Sequence, residues 1–234
     1  MVKLPSKGIL IENVAACNLA CLSCDRDSIR RVQGGAMIHR NLGKVVDVVK
    51  LLQPEIIYWF KIGEPFLSPQ IDVEIDAVLQ ASPRSQIICS TNGIPLRGEN
   101  KINAALRMHE IFISLDGINT PMVRRSQVGG DFDRAYANMS ALVRERDARG
   151  QSTPTIHWKY VVFRWNDKPA TIMRALALAS QAGVDSLTLV RTISPPWGVS
   201  WRWALHGYGK LGERNGADCM INLRRKEWPE GVVR

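Results

Sequence analysis

The sequence predicts an α/β protein, a partial (β/α)6 TIM-like barrel with a short irregular C-terminal extension. Two observations carry this. Short β-like runs alternate with stretches of helical periodicity, the rhythm of a parallel sheet wrapped by helices. The runs are also apolar at most positions, as strands buried on both faces are. Length then limits the closure: a complete eight-fold barrel takes about 250 residues, and here the strand–helix units end by Ile193. The chain therefore divides into a barrel over residues 1–193 and an extension over 194–234.

The predicted strands run, in order, over Gly8 to Ala15, Glu55 to Ile62, Gln86 to Thr91, Glu110 to Asp116, Thr155 to Arg164 and Ser186 to Arg191. Between them apolar residues recur at helical spacing. Leu42, Val45, Val46 and Val49 share one face, as do Ile71, Ile75, Val78 and Leu79. Phe132, Ala135, Tyr136, Met139, Leu142 and Val143 form a third stripe, and Ile172, Ala175, Leu176 and Ala179 a fourth. The segment Ile102 to Leu106 carries a weaker pattern. Asn92-Gly93, Gly129-Gly130 and Ala182-Gly183 are turn signals where elements should change. The extension has no clear period. It holds Trp197, Trp201, Trp203 and Trp228, most simply read as packing, with substrate stacking as the alternative.

Composition is ordinary for a globular chain, 45% hydrophobic and 23% charged over 234 residues. No secretory signal pattern and no apolar run of membrane-spanning length is present, so a soluble, cytoplasmic protein with no membrane partner is expected. The net charge of +9 raises a nucleic-acid partner. Lys and Arg are nevertheless scattered, and the pairs Arg30-Arg31, Arg124-Arg125 and Arg224-Arg225 read as solvated faces; nucleic acid is not the expected partner.

Chemistry concentrates in the cysteines. Of five, Cys17, Cys21 and Cys24 crowd into one C-x-x-x-C-x-x-C loop directly after the first predicted strand. An odd, clustered set argues for metal binding over a disulfide framework. Three thiolates on one loop can hold three irons of a 4Fe-4S cluster and leave the fourth open. A loop at the C-terminal end of a barrel strand is also where such folds place active sites. The alternative is zinc, which needs a fourth ligand; His39 and Cys219 are the distant candidates. No histidine among His39, His109, His157 and His206 shares an evident spacing with a nucleophile.

The segment CNLACLSC resembles the signature of the radical S-adenosylmethionine (SAM) superfamily, in the form found in its peptide-modifying branches. Further strand ends agree. Lys61-Ile62-Gly63-Glu64-Pro65 resembles the GGEP motif, with Ile62 in place of its first glycine. Ser90-Thr91-Asn92-Gly93 and Ser114-Leu115-Asp116-Gly117 look like the TNG and SLDG ends. Local signals that agree in order support one fold. The resemblance covers about residues 8–192. It implies a 4Fe-4S cluster on Cys17, Cys21 and Cys24, acting as the catalytic centre, and SAM bound by Gly63, Glu64, Pro65, Asn92, Ser114 and Asp116. Arg125, suited to a carboxylate, and Asn166, after the fifth strand, are implied as further SAM contacts. The aromatic residue that often precedes the third cysteine and packs near adenine is here Ser23.

The implied activity is an oxidoreductase or lyase-type reaction: reductive cleavage of SAM to a 5'-deoxyadenosyl radical that abstracts hydrogen from a peptide or small metabolite. A low-potential donor such as flavodoxin or ferredoxin would supply the electron. An activating enzyme for a partner protein radical, or a non-catalytic metal- or nucleic-acid-binding module, are the alternatives. Cys219 faintly resembles the start of a SPASM or twitch region, but no further cysteine follows, so no complete auxiliary cluster is expected. The other reading of Cys219 and Cys89 is a buried small apolar residue.

Overall fold

The computed structural model describes residues 7–24, 41–206, 213–215 and 218–223. Six parallel strands form the main sheet: β1 (Gly8–Leu10), β3 (Ile56–Tyr58), β4 (Gln86–Thr91), β5 (Glu110–Ser114), β7 (Thr155–Val162) and β8 (Ser186–Arg191). They are neighbours in chain order, the strand order of a partial barrel. The periodic stripes are helices α1 (Leu42–Leu52), α2 (Ile71–Ala81), α3 (Glu99–Leu106), α5 (Phe132–Ala148) and α6 (Pro169–Ala182). A single turn, α4 (Thr120–Val123), precedes α5. The weak pattern at 102–106 is the end of α3.

Local chemistry fixes the helix ends. Asp131 caps α5 by accepting the Arg134 N–H at 3.1 Å. Pro169 opens α6, and Gly183, at φ +75°, closes it in the left-handed conformation that glycine adopts at low cost. The first and second predicted strands are shorter than expected. Their apolar runs continue into the loops at the C-terminal ends of the strands, where Val14 and Trp59 are buried.

The sheet has two unlike faces. Ile87, Cys89, Ile111, Ile113, Ile156, Trp158, Tyr160, Leu187 and Leu189 are fully buried and alternate along their strands, as pleating requires. Trp158 meets α5 through Phe132 and Tyr136, with ring centroids 6.2 and 6.1 Å away. This is the helix-covered face and the core. The residues between them line the concave side. At the foot of the barrel, Arg146 of α5 is 4% exposed. It donates to the Asp185 carboxylate at 2.6 Å and to the Pro154 carbonyl at 3.0 Å, while Asp185 also accepts the Ile156 N–H.

The extension is more regular than its sequence suggested. After α7 (Trp201–His206), β9 (Glu213–Asn215) and β10 (Asp218–Asn222) add an antiparallel hairpin to the sheet, with β10 against β8. Cys219 is fully buried opposite Leu189, and Cys89 is fully buried in β4, so both take the small-apolar role. Trp203 packs against the core. Trp197 and Trp201 are 59% and 76% exposed. Trp228, His39, Arg30, Arg31, Arg224 and Arg225 lie outside the described residues. No described helix is long and apolar enough to cross a membrane.

Candidate functional site

All six parallel strands send their following loops to one end of the barrel, and the cysteine loop lies there. Four ties hold it. The Glu64 N–H donates to the Ala16 carbonyl at 2.9 Å, and the Leu22 N–H to the Ser126 carbonyl at 2.8 Å. The short strand β2 (Ala20–Cys21) pairs antiparallel with β6 (Gln127–Val128). The Asn92 amide donates to Asn18 Oδ1 at 2.9 Å and reaches Cys17 Sγ at 3.9 Å. Cys17 Sγ also accepts the Leu19 N–H at 3.4 Å. Such N–H donors favour a thiolate and tune any cluster bound to it.

Cys17, Cys21 and Cys24 are each partly buried and form no disulfide. Among the described residues no three His, Cys, Asp or Glu side chains converge as ligands of one metal ion do. A cluster spreads its irons, so its three thiolates need not meet at a point. The donor set, three soft thiolates on one pinned loop, fits an iron–sulfur cluster. Cys219, raised as a fourth zinc ligand, is in the core of the sheet.

The Gly63–Pro65 turn is built into this frame. Gly63 has no room for a side chain: a Cβ there would lie 1.6 Å from the Val14 carbonyl oxygen. The Ile62 and Gly63 N–H groups both donate to one carboxylate oxygen of Glu12, at 2.9 and 3.1 Å. Glu64 is 2% exposed. Its carboxylate accepts the Thr91 hydroxyl at 2.6 Å, the Asn92 N–H at 2.8 Å and the Phe66 N–H at 3.1 Å. Burial pushes its pKa up while these donors pull it back. Glu64 thus ties the second strand end to the third. Behind it, Asn13 donates to Glu74 at 2.8 Å and to the Pro65 carbonyl at 3.1 Å, and Ser68 donates to Glu74.

The remaining expected residues divide in two. Asn166 is fully buried, and its amide is spent on the carbonyls of Asp116 and Val161 and on the Phe163 N–H. It braces the ends of β5 and β7. Asp116 is 5% exposed and accepts the Val161 N–H at 2.9 Å. Ser114 is partly open on the concave side, and Arg125 is exposed beside the cysteine loop. The Arg125 guanidinium lies 5.3 Å from the Trp165 ring centroid, a cation–π contact. Trp165 in turn stacks on Phe163 at 4.6 Å and tilts against Trp197 at 5.5 Å. Ser23 does not face this ring stack through an aromatic group; its hydroxyl donates to the Ser194 carbonyl at 2.7 Å.

Burial raises the Asp116 carboxyl to about 7, although the Val161 N–H and the Lys159 charge pull it down. A carboxyl raised in the folded state binds its proton more tightly there, so stability falls as pH rises from the unfolded value near 4 to about 7 and is flat above. Glu64 adds in the same direction. Asp116→Asn is expected to gain on the wild type across that window, by about 4 kcal/mol at most from the size of the shift. Urea melts at pH 4.5 and pH 8 check this; an equal difference at both would refute it.

Glu12, Asn13 and Glu74 belong to no motif in the sequence, and Asn18 and Trp165 lie inside motif segments that gave them no role of their own. Glu12 and Asn13 lie just past the first strand, where a polar pair in an apolar run was the available signal.

No family model matches the chain, and no curated protein does. Solved structures do. The structure of TYW1 with a lysine-pyruvate adduct bound is 15% identical, with 95% of this chain and 82% of that chain covered at a TM-score of 0.65. Streptococcus suis SuiB bound to S-adenosylmethionine is 13% identical over 79% of this chain and 38% of that one, at 0.59. Native anSMEcpe with bound AdoMet is 16% identical over 78% and 50%, at 0.58. The chain thus spans half or less of SuiB and anSMEcpe. At these identities it is the fold that is shared: parallel strands in chain order with helices on one face, the partial-barrel fold of these solved structures.

Proposed function

We propose that this protein is a radical SAM enzyme. In this reading Cys17, Cys21 and Cys24 ligate three irons of a 4Fe-4S cluster, and SAM binds at the open iron. The observation that carries it is the placement of one three-cysteine loop at the C-terminal ends of the parallel strands, tied there by Glu64, Asn92 and Ser126. When bound, the cluster and SAM supply a one-electron cleavage that yields a 5'-deoxyadenosyl radical able to take hydrogen from substrate. A low-potential flavodoxin or ferredoxin is the proposed electron source. The protein's own residues hold and orient. Asn92 and the Leu19 N–H stabilise the Cys17 thiolate, Glu64 and Asn166 fix the strand ends, and Ser114, Asp116 and Arg125 face SAM. The substrate is a peptide or small metabolite; a neighbour of the same fold, anSMEcpe, has been solved with a bound Cp18Cys peptide.

Arg125 is the proposed partner of the SAM carboxylate, with Trp165 as its positioning residue. Arg125→Ala is expected to weaken SAM binding about tenfold or more, the range of a charge-assisted hydrogen bond. Trp165→Leu should weaken it only about three-fold, and Trp165→Tyr should restore it, since an exposed cation–π contact contributes about 0.5–1 kcal/mol. Calorimetric SAM titration of the reconstituted protein measures both. Equal affinities in the wild type and Arg125→Ala would remove Arg125 from the site.

The reading as a whole is tested by anaerobic reconstitution with iron and sulfide. The reduced protein should give a cluster electron-spin resonance signal that SAM alters. A signal indifferent to SAM would place SAM away from the cluster.

A further inference from the structure

β7 carries a lysine where its neighbours carry bulk. Ile156, Trp158, Tyr160 and Val162 are buried on the helix-covered face, so Lys159 stands on the opposite, concave one. Its Cα partners across the sheet are Ser114 of β5 and Thr188 of β8. One row nearer the foot, Ser90, Phe112, His157 and Ser186 stand abreast. There Phe112 and His157 stack at 4.4 Å, and His157 Nδ1 lies 2.7 Å from the Ser186 hydroxyl. One row nearer the strand ends is Asp116, whose backbone leads to the cysteine-loop end of the barrel.

Lys159 is partly buried, and among the described residues its ammonium makes no hydrogen bond and no ion pair at contact distance. The charged group it feels is Asp116, which is already committed to the Val161 N–H. Placing an unpaired ammonium in the middle of a sheet costs free energy, and Lys is disfavoured in strands.

We infer that the concave wall at Lys159, in the strand row it shares with Thr188, binds an anionic group of the substrate, a carboxylate or a phosphate. A partly buried cation on the concave face of the sheet matches the acceptor-only oxygens of such a group. This deepens the proposed function and rests on it for the word substrate. The anion site itself is independent of SAM cleavage.

The test is lysine acylation of the intact, cluster-loaded protein under anaerobic conditions, read by mass spectrometry with inorganic phosphate, benzoate or benzamide present. Lys159 should be labelled in the free protein. Phosphate or benzoate at ten times its dissociation constant should slow that labelling about tenfold by mass action, while benzamide has no effect and exposed Lys168 is unchanged. Which anion protects at lower concentration tells phosphate from carboxylate. Protection should persist with SAM bound. Lys159 that resists labelling, protection by neither anion, equal protection by benzamide, or protection that SAM removes would each overturn the inference. Because the readout needs no turnover, a protein that protects Lys159 but forms no 5'-deoxyadenosine would count against the enzyme reading alone.

Discussion

Cys21→Ala is expected to lose the iron–sulfur cluster and all SAM cleavage while keeping the fold. Cys21 lies in β2, one residue before the Leu22 N–H that bonds to Ser126, so its backbone stays anchored without its sulfur. The side chain is only partly buried, and its removal leaves no core cavity. Two thiolates cannot hold a cluster that three held with one iron already open. Iron and sulfide content after reconstitution should drop to background, 5'-deoxyadenosine should fall to the uncatalysed level, and the thermal midpoint of the metal-free protein should move by less than about 2 °C, since surface substitutions stay within about 0.5 kcal/mol. Cleavage that survived in this variant would mean the cluster sits elsewhere. Cys89→Ala and Cys219→Ala give the contrast: both residues are in the core, so they should cost stability and leave the cluster intact.

Arg146→Met is expected to destabilise the fold by about 3–5 kcal/mol, the usual result of stripping one partner from a buried ion pair. The guanidinium satisfies both the Asp185 carboxylate and the Pro154 carbonyl from a site only 4% exposed. Without it Asp185 keeps the Ile156 N–H but loses its counter-charge in a poorly hydrated place. For a chain of this size the midpoint should fall by about 6–20 °C. The double variant Arg146→Met with Asp185→Leu should recover part of that loss, because no buried charge is then left alone. A double variant less stable than the single one would show that Asp185 works mainly through the Ile156 amide.

Much of the frame was legible in the sequence because it obeys local rules. Apolar runs gave the six parallel strands, helical periodicity gave the helices, and Asn92-Gly93 and Ala182-Gly183 marked turns that the structure builds with φ of +75° at both glycines. The hairpin β9–β10 was not legible. Its strands are short, and it owes its existence to pairing with β8, a non-local contact without a period of its own. The motif residues were findable but not their work. Glu64 and Asn166 sit where the motifs put them, yet their polar groups are turned to the chain itself, since a partner many residues away decides that. Lys159 shows the same limit. A charge between Trp158 and Tyr160 was visible, but only the register against Ser114 and Thr188 reveals which face it lies on.

The measurement that tests the central claim most directly is formation of 5'-deoxyadenosine by the anaerobically reconstituted protein given SAM and dithionite. The account predicts that it forms, that methionine appears with it, and that neither does with Cys21→Ala. A protein that assembles the cluster on these three cysteines and leaves SAM intact would contradict it.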